Sequence, residues 1–220
     1  MLNYTKASRE DAPVISDLCR DTPEGTQAFS FLAVSPSEIS EAFFCGRDEN
    51  GDIRTVIFDT GDEYTMAYGK DEVPFMTFSP RYVMICEESL PRDFSVQRLE
   101  GKDILEVYKL ISGGERLSFD DEKRYVLRLR SVNASYGAVF GIFFGNELVS
   151  CASVCAMNEK YALISDVFTR EDKRNEGMGR KCVAACVNFA LEKGRIPFLR
   201  CEEKLCSFYE KAGFVYYGKM

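Results

Sequence analysis

The segment from Tyr161 to Gly194 constrains this chain more than any other. Tyr161–Thr169 (Tyr-Ala-Leu-Ile-Ser-Asp-Val-Phe-Thr) is rich in apolar and β-branched residues and reads as a strand. A charged turn comes next, Arg170-Glu-Asp-Lys-Arg174-Asn-Glu-Gly177-Met-Gly179, and then a helix predicted over about Gly179–Lys193. Val183, Cys186, Val187 and Ala190 share one face of that helix, and Gly194 stands at its C-terminal stop. A strand that runs through two glycines into an amphipathic helix requires a sheet with helices packed on it. The fold class reads as α/β. Glycines also permit backbone conformations in which successive amide N–H groups point at one place, and a helix start adds about half a positive charge there. Together they can form a pyrophosphate cradle, with Arg174 as a cationic clamp. A glycine pair that merely permits a tight turn accounts for the same residues equally well.

The remaining chain reads as two halves that begin alike. Tyr4-Thr-Lys-Ala-Ser-Arg-Glu-Asp11-Ala-Pro-Val-Ile-Ser-Asp-Leu18 is a short strand, a capping acid and an amphipathic helix. Val96-Gln-Arg-Leu-Glu-Gly-Lys-Asp103-Ile-Leu-Glu-Val-Tyr-Lys-Leu110 has the same plan without gaps. Asp11 and Asp103 stand where a helix would be capped, and Leu18 and Leu110 fall on its buried stripe. Chance similarity between two strand–helix units explains this, and so does a tandem repeat joined near Glu88–Arg98 around Pro91. In the first half, Pro36–Phe44 reads as a helix, Ile53–Asp59 and Glu63–Gly69 as a hairpin across Thr60-Gly61-Asp62, and Tyr82–Cys86 as a strand. In the second, a helix at about Asp120–Ser131 leads to strands at Gly137–Phe144, Glu147–Ala156 and Tyr161–Thr169. After the glycine turn and its helix come a strand at Pro197–Cys201, a short helix at Leu205–Ala212 and a closing strand at Phe214–Lys219.

Composition excludes several chemistries. The sequence has no histidine, which removes a Ser–His–Asp triad, a Cys–His dyad and nearly every common catalytic zinc site. Proton transfer must then use carboxylates, tyrosine, cysteine, lysine or water. Nine cysteines with no Cys-x-x-Cys pair read as reduced thiols. No apolar run approaches the roughly 20 residues of a membrane span, and the opening Met1-Leu-Asn-Tyr-Thr-Lys lacks a secretory apolar stretch, so the cytoplasm is expected. A net charge of −7 argues against nucleic acid. The charge is uneven, −9 over Met1–Arg98 and +2 over the rest, so an anionic cofactor suits the second half.

One strand and one helix after the glycine turn comes Ser207-Phe-Tyr-Glu-Lys-Ala-Gly213-Phe214. An Arg-x-x-Gly-x-Gly loop followed at this distance by Phe-Tyr-Glu-Lys-x-Gly-Phe resembles the GNAT (Gcn5-related N-acetyltransferase) superfamily. The preceding Asp-Val-Phe-Thr is similar to the branch whose fourth strand reads Gly-Val-Tyr-Thr. The resemblance is strong over Tyr161–Met220 and fair from about Ser95. It implies an α/β protein with an α+β mixed sheet: a GNAT acyl-CoA N-acyltransferase fold in residues 94–220, and residues 1–93 as a smaller, truncated GNAT-like sheet without a cofactor motif. It further implies direct transfer of an acetyl group from acetyl-CoA to a primary amine, with no covalent enzyme intermediate and no metal. Carried over by position, Val167, Phe168 and Thr169 would offer backbone groups to the pantetheine arm and the thioester carbonyl. Arg174, Asn175, Glu176, Gly177, Met178 and Gly179 would hold the pyrophosphate. Tyr209 matches the tyrosine that protonates the departing thiolate.

Three departures qualify this. Asn175 and Glu176 stand where the loop has small or basic residues, and an acid there is unhelpful unless it faces solvent. Glu202 replaces an asparagine often found seven residues before the tyrosine, and little chain remains after Phe214–Lys219 for the family's final strand. A general base is sought among carboxylates: Asp166 on the fourth strand and Glu202 after the fifth are the nearest, and either is equally an ordinary strand-end acid. Tyr209 can also be read as simple packing. Cys182 with Cys186, and Cys151 with Cys155, read as small core residues rather than metal pairs, and Cys201 and Cys206 flank the acceptor region. The acceptor is expected to be a small-molecule or peptide amine, with no nucleic acid or membrane partner; the acidic first half would attract a cationic one. The rival readings are a non-catalytic acyl-CoA sensor and a structural relic that binds no coenzyme A.

Overall fold

A computed structural model describes residues 2–59, 64–69, 81–113 and 119–219. The chain divides into two compact units: Met1–Pro80 with Met157–Tyr161 and Met220 in the first, Arg81–Ala156 with Ala162–Lys219 in the second. The sequence places the junction at 93/94. The division falls earlier because Tyr82–Ile85 pairs within the sheet of the second unit.

The first unit runs β1 (Asn3–Lys6), α1 (Ala12–Cys19), α2 (Thr26–Val34), α3 (Ile39–Ala42), β2 (Phe43–Arg47), β3 (Ile53–Asp59) and β4 (Tyr64–Tyr68). Its four strands lie in sequence order, each antiparallel to the next. The expected turn Thr60-Gly61-Asp62 lies outside the described residues. The helix expected over Pro36–Phe44 shrinks to α3 after a 3-10 turn, because Phe43 turns extended (φ −127°, ψ 142°) and starts β2. Extended backbone there buries both Phe43 and Cys45 completely. Phe31, Phe43 and Phe58 stack their rings with centroids 4.9–5.8 Å apart, beside Ile15, Cys19 and Leu32. Each such side chain contributes about 1.5–3 kcal/mol on burial. Asn158, which belongs to this unit and is 2 % exposed, donates to the carbonyls of Cys19 (3.0 Å) and Thr22 (2.8 Å).

The second unit runs β5 (Tyr82–Ile85), β6 (Gln97–Arg98), α4 (Asp103–Ile111), α5 (Phe119–Ser135), β7 (Ala138–Phe144), β8 (Glu147–Met157), β9 (Tyr161–Thr169), α6 (Met178–Glu192), β10 (Ile196–Cys201), α7 (Cys206–Glu210) and β11 (Val215–Lys219). The sheet order is β11-β5-β10-β9-β8-β7-β6. Strand β5, first in sequence, lies antiparallel between the two last strands, with Ile85 opposite both Phe198 and Val215. The sheet therefore links β10 to β11 through β5. Ile104 and Val107 of α4, Leu129 of α5, and Val139 and Cys151 of the sheet form one core. Helix α6 buries Cys182, Val183, Cys186, Val187 and Ala190, the face expected from their spacing. Burial pushes the Cys182 thiol up to about 12, as befits a packed side chain. No helix among the described residues is long and apolar enough to cross a membrane.

The two capping acids behave differently. The Asp11 carboxylate accepts hydrogen bonds from Ser8 N (2.7 Å) and Ser8 Oγ (3.0 Å) and pairs with Arg47 (2.7 Å). It closes the turn ahead of α1 rather than bonding the helix amides. Asp103 is the first residue of α4, Lys102 holds the cap position, and no side chain caps that helix.

Candidate active site

Strand β9 is regular and buried through Ile164 and half-exposed from Ser165 to Thr169. The change coincides with Asp166, whose φ of +52° lies in the left-handed region although it sits within a strand. A left-handed residue breaks the alternation of a strand and redirects the residues after it. On the adjacent strand, Ser150 of β8 donates to Phe168 O (3.1 Å) and shares a hydrogen bond with Thr169 Oγ1 (2.9 Å). The end of β9 is thus held along its β8 edge.

The loop after β9 returns to it. Arg174 Nε donates to Thr169 O at 3.2 Å. Asn175 (φ +66°) and Gly177 (φ +79°) are both left-handed, and Gly177 caps α6. Left-handed residues so spaced can curl successive amides toward one point, as in an anion-binding nest. The first intrahelical bond is Lys181 N to Gly177 O (3.1 Å), so helix geometry leaves the amides of Met178, Gly179 and Arg180 for another acceptor. The two glycines serve different ends. At Gly177 an added Cβ would meet nothing closer than 3.7 Å, so conformation decides; at Gly179 it would lie 3.1 Å from Thr169 Oγ1 and 3.6 Å from Phe208, so space decides.

Helix α7 brings the third component. Tyr209 is 7 % exposed, its ring edge-on to Phe208 (4.9 Å) and Phe214 (5.9 Å). Burial, with the Cys201 thiol adding to it, pushes its phenol up to about 12. Cys201 and Cys206 approach to 3.9 Å between sulfurs, and burial and that neighbour push Cys201 up to about 12 as well.

These elements enclose a cleft of about 540 Å³, lined by residues 167–169, 173–175, 177–180, 205, 207–209 and 211. The size suits a small-molecule ligand. Among the expected residues, Val167, Phe168, Thr169, Arg174, Asn175, Gly177, Met178, Gly179 and Tyr209 all line it. Three do not. Glu176 is exposed and pairs with Lys173 (3.8 Å). Glu202 pairs with Lys204 (2.7 Å) and Arg81 (3.7 Å), and the Lys204 bond holds its carboxyl below the usual range, which makes it a poorer base. The Asp166 carboxylate accepts from the Ser153 hydroxyl. The charged side chains of the lining, Lys173, Arg174, Arg180 and Lys211, are all cationic. Lys173, Arg180 and Lys211 do not stand out in the sequence, although each is a basic residue within or beside the two motifs.

The left-handed pair, the free helix amides, the space left by the missing Cβ of Gly179 and the cationic lining fit the pyrophosphate of coenzyme A. A family model described as the acetyltransferase (GNAT) family matches residues 104–214. A structure of a GNAT-family acetyltransferase from Colwellia psychrerythraea aligns over 100% of this chain and 97% of its own, at 11% identity and a TM-score of 0.63. A GNAT-family structure from Novosphingobium aromaticivorans aligns over 64% of this chain at 20% identity and a TM-score of 0.50, and the chain covers 61% of that protein's length. At these identities the likeness is one of fold. No curated protein matches the chain.

Proposed function

The chain belongs to the acetyltransferase (GNAT) family, and on that premise we propose that its second unit transfers an acetyl group from acetyl-CoA directly to a primary amine. The observation that carries this is the convergence, in one cleft, of the turned strand end Val167–Thr169, the left-handed loop at Asn175–Gly177 with its helix start, and Tyr209. The loop amides and Arg174 hold the pyrophosphate. Backbone groups of residues 167–169 pair with the pantetheine arm and polarise the thioester carbonyl. The neutral amine adds to that carbonyl carbon, the C–S bond breaks as the amide forms, the electron pair leaves on sulfur, and the proton lost from nitrogen passes through water to solvent or to the departing thiolate.

Tyr209 faces that sulfur in this reading. Its raised pKa keeps the proton in place at neutral pH. Complete transfer to a thiolate whose conjugate acid lies near 8.5 is uphill by about three orders of magnitude, so the phenol works first as a hydrogen-bond donor to developing charge. The first unit, in the same proposal, is a truncated relative that carries no cofactor motif. Its strands and helices follow the order of the second unit's opening, which supports the reading.

The test is release of free coenzyme A thiol from acetyl-CoA in the presence of a panel of polyamines, aminoglycosides and basic peptides. Amine-dependent release with a matching acetylated product is expected. One observation favours a second reading, a non-catalytic acyl-CoA sensor: no carboxylate lines the described cleft to deprotonate an amine. Tight binding of acetyl-CoA with amine-independent, slow hydrolysis across the panel would select the sensor.

A further inference from the structure

A left-handed residue inside a strand needs a cause, since most L side chains resist that conformation. Asp166 (φ +52°) is one of the few types that tolerate it, together with asparagine and glycine. The neighbouring strand supplies the rest. The Ser153 hydroxyl donates to the Asp166 carboxylate, with the Ser165 carbonyl oxygen 3.3 Å from the same hydroxyl. The Cys151 thiol donates to Asp166 O at 3.3 Å. Both donors, Ser153 and Cys151, are fully buried, so their hydrogen bonds are directed to residue 166 rather than to solvent. Residue 166 is therefore held at both its side chain and its carbonyl, one position before the three residues that line the cleft.

Resting on the acyl-CoA reading, we infer that Asp166 is a positioning residue, which with Ser153 fixes the turn in β9 that presents the backbone of Val167–Thr169 to the acyl-pantetheine arm. Its carboxylate is engaged by β8 and does not line the cleft, so it takes no proton from the amine. The arm and the nucleotide then depend on different parts of the site. Residues 167–169 meet the arm, while the loop at 174–179 meets the phosphates and is carried by the start of α6, touching the strand end through the Arg174 Nε bond to Thr169 O.

That separation allows a test without knowledge of the acceptor. Acetyl-CoA and 3′-phospho-ADP, the nucleotide portion without the arm, are titrated calorimetrically into the full chain and its variants. Asp166→Asn keeps both the left-handed tolerance and a hydrogen-bond acceptor, and should bind acetyl-CoA within about threefold of the parent. Asp166→Ala loses both, and should bind acetyl-CoA about tenfold more weakly or worse while 3′-phospho-ADP changes by less than about twofold. Asp166→Gly should fall between them. Ser153→Ala leaves residue 166 intact and should weaken acetyl-CoA alone, by about threefold, which decides the matter should Asp166→Ala not fold. Unchanged acetyl-CoA binding in Asp166→Ala, or in Ser153→Ala, would overturn the inference. So would equal weakening of both ligands, which marks a general loss of structure. A parent protein that binds neither ligand would instead defeat the acyl-CoA reading, and this inference with it.

Discussion

Once β5 is set aside, the two units follow the same order of elements and part company at the fourth strand of that series. Each runs strand, helix, helix, strand, strand, strand: β1, α1, α2, β2, β3, β4 in the first, with the short α3 ahead of β2, and β6, α4, α5, β7, β8, β9 in the second. In each the four strands lie side by side in sequence order. Beyond the fourth strand the sequences diverge. After Tyr68 come Gly69-Lys-Asp-Glu-Val-Pro74, with one glycine and a proline; after Thr169 comes the run to Asn175-Glu-Gly177-Met-Gly179 and a long helix. The second unit also turns its fourth strand at Asp166. The same order of elements thus does not make a phosphate site. A left-handed alternation, a missing Cβ and a helix start do, and those reside in about a dozen residues.

If function resides in the second unit's departures, substitutions there should change chemistry, and those in the shared opening should change stability alone. The largest effect is expected at Tyr209. Tyr209→Phe keeps the ring contacts to Phe208 and Phe214 but deletes the donor, so turnover should fall by about 10² to 10⁴ with acetyl-CoA affinity nearly unchanged. Steady-state kinetics with a true acceptor at saturation check this, and an intact turnover number would leave Tyr209 as packing. Next comes Gly179→Val, which drives side-chain atoms into the space beside Thr169 and Phe208. Coenzyme A affinity should drop at least about tenfold, roughly 1.4 kcal/mol, by calorimetric titration of the folded variant. Unchanged affinity would show that the loop plays no part in binding.

The shared opening supplies the contrast. Asp11→Ala loses the bonds to Ser8 and the pair with Arg47, and should destabilise by about 1–2 kcal/mol in denaturant melts. Asp103→Ala, with no cap bond to lose, should stay within about 0.5 kcal/mol. Neither should move acetyl-CoA affinity; a tenfold shift from Asp11→Ala would mean the first unit shapes the site. The smallest effect is in acid. Hydrogen bonds from the Ser95 hydroxyl, the Lys181 ammonium and the Ser95 amide hold Asp93 down to about 2. Its contribution is complete above the ordinary carboxylate value near 4 and is lost as pH falls toward 2. Asp93→Asn should therefore flatten the decline of melting temperature between pH 4 and pH 2. Parallel declines in parent and variant would show that the pair contributes nothing.

Much of the second unit is legible in the sequence because its signals are local. Apolar patterning, with Gly177 and Gly194, places Tyr161–Thr169 to the residue, and α6 and β8 within one residue at either end. The cleft follows from two motifs that each specify a backbone shape. Non-local facts are hidden. Strand β5 is visible as a strand, but its place between β10 and β11 depends on partners more than 100 residues away in sequence. Helix α2 (Thr26–Val34) escapes detection because its apolar residues surround it rather than form a stripe, and Phe43 and Phe44 read as the end of a helix where β2 in fact begins. The engagement of Asp166 by Ser153 is likewise invisible, since a serine thirteen residues away gives no spacing signal. An acid near the site therefore reads as a base, where the structure shows its carboxylate bonded to the neighbouring strand.

The most direct test of the central claim, that the second unit's loop and turned strand form the acyl-CoA site, is a crystal structure of the full chain with acetyl-CoA. Pyrophosphate oxygens should lie within hydrogen-bond reach of the amides of residues 177–180, with the thioester carbonyl against the backbone of Val167–Thr169 and the sulfur beside the Tyr209 hydroxyl. Acetyl-CoA bound in the first unit, or bound with residues 174–179 untouched, would contradict the claim.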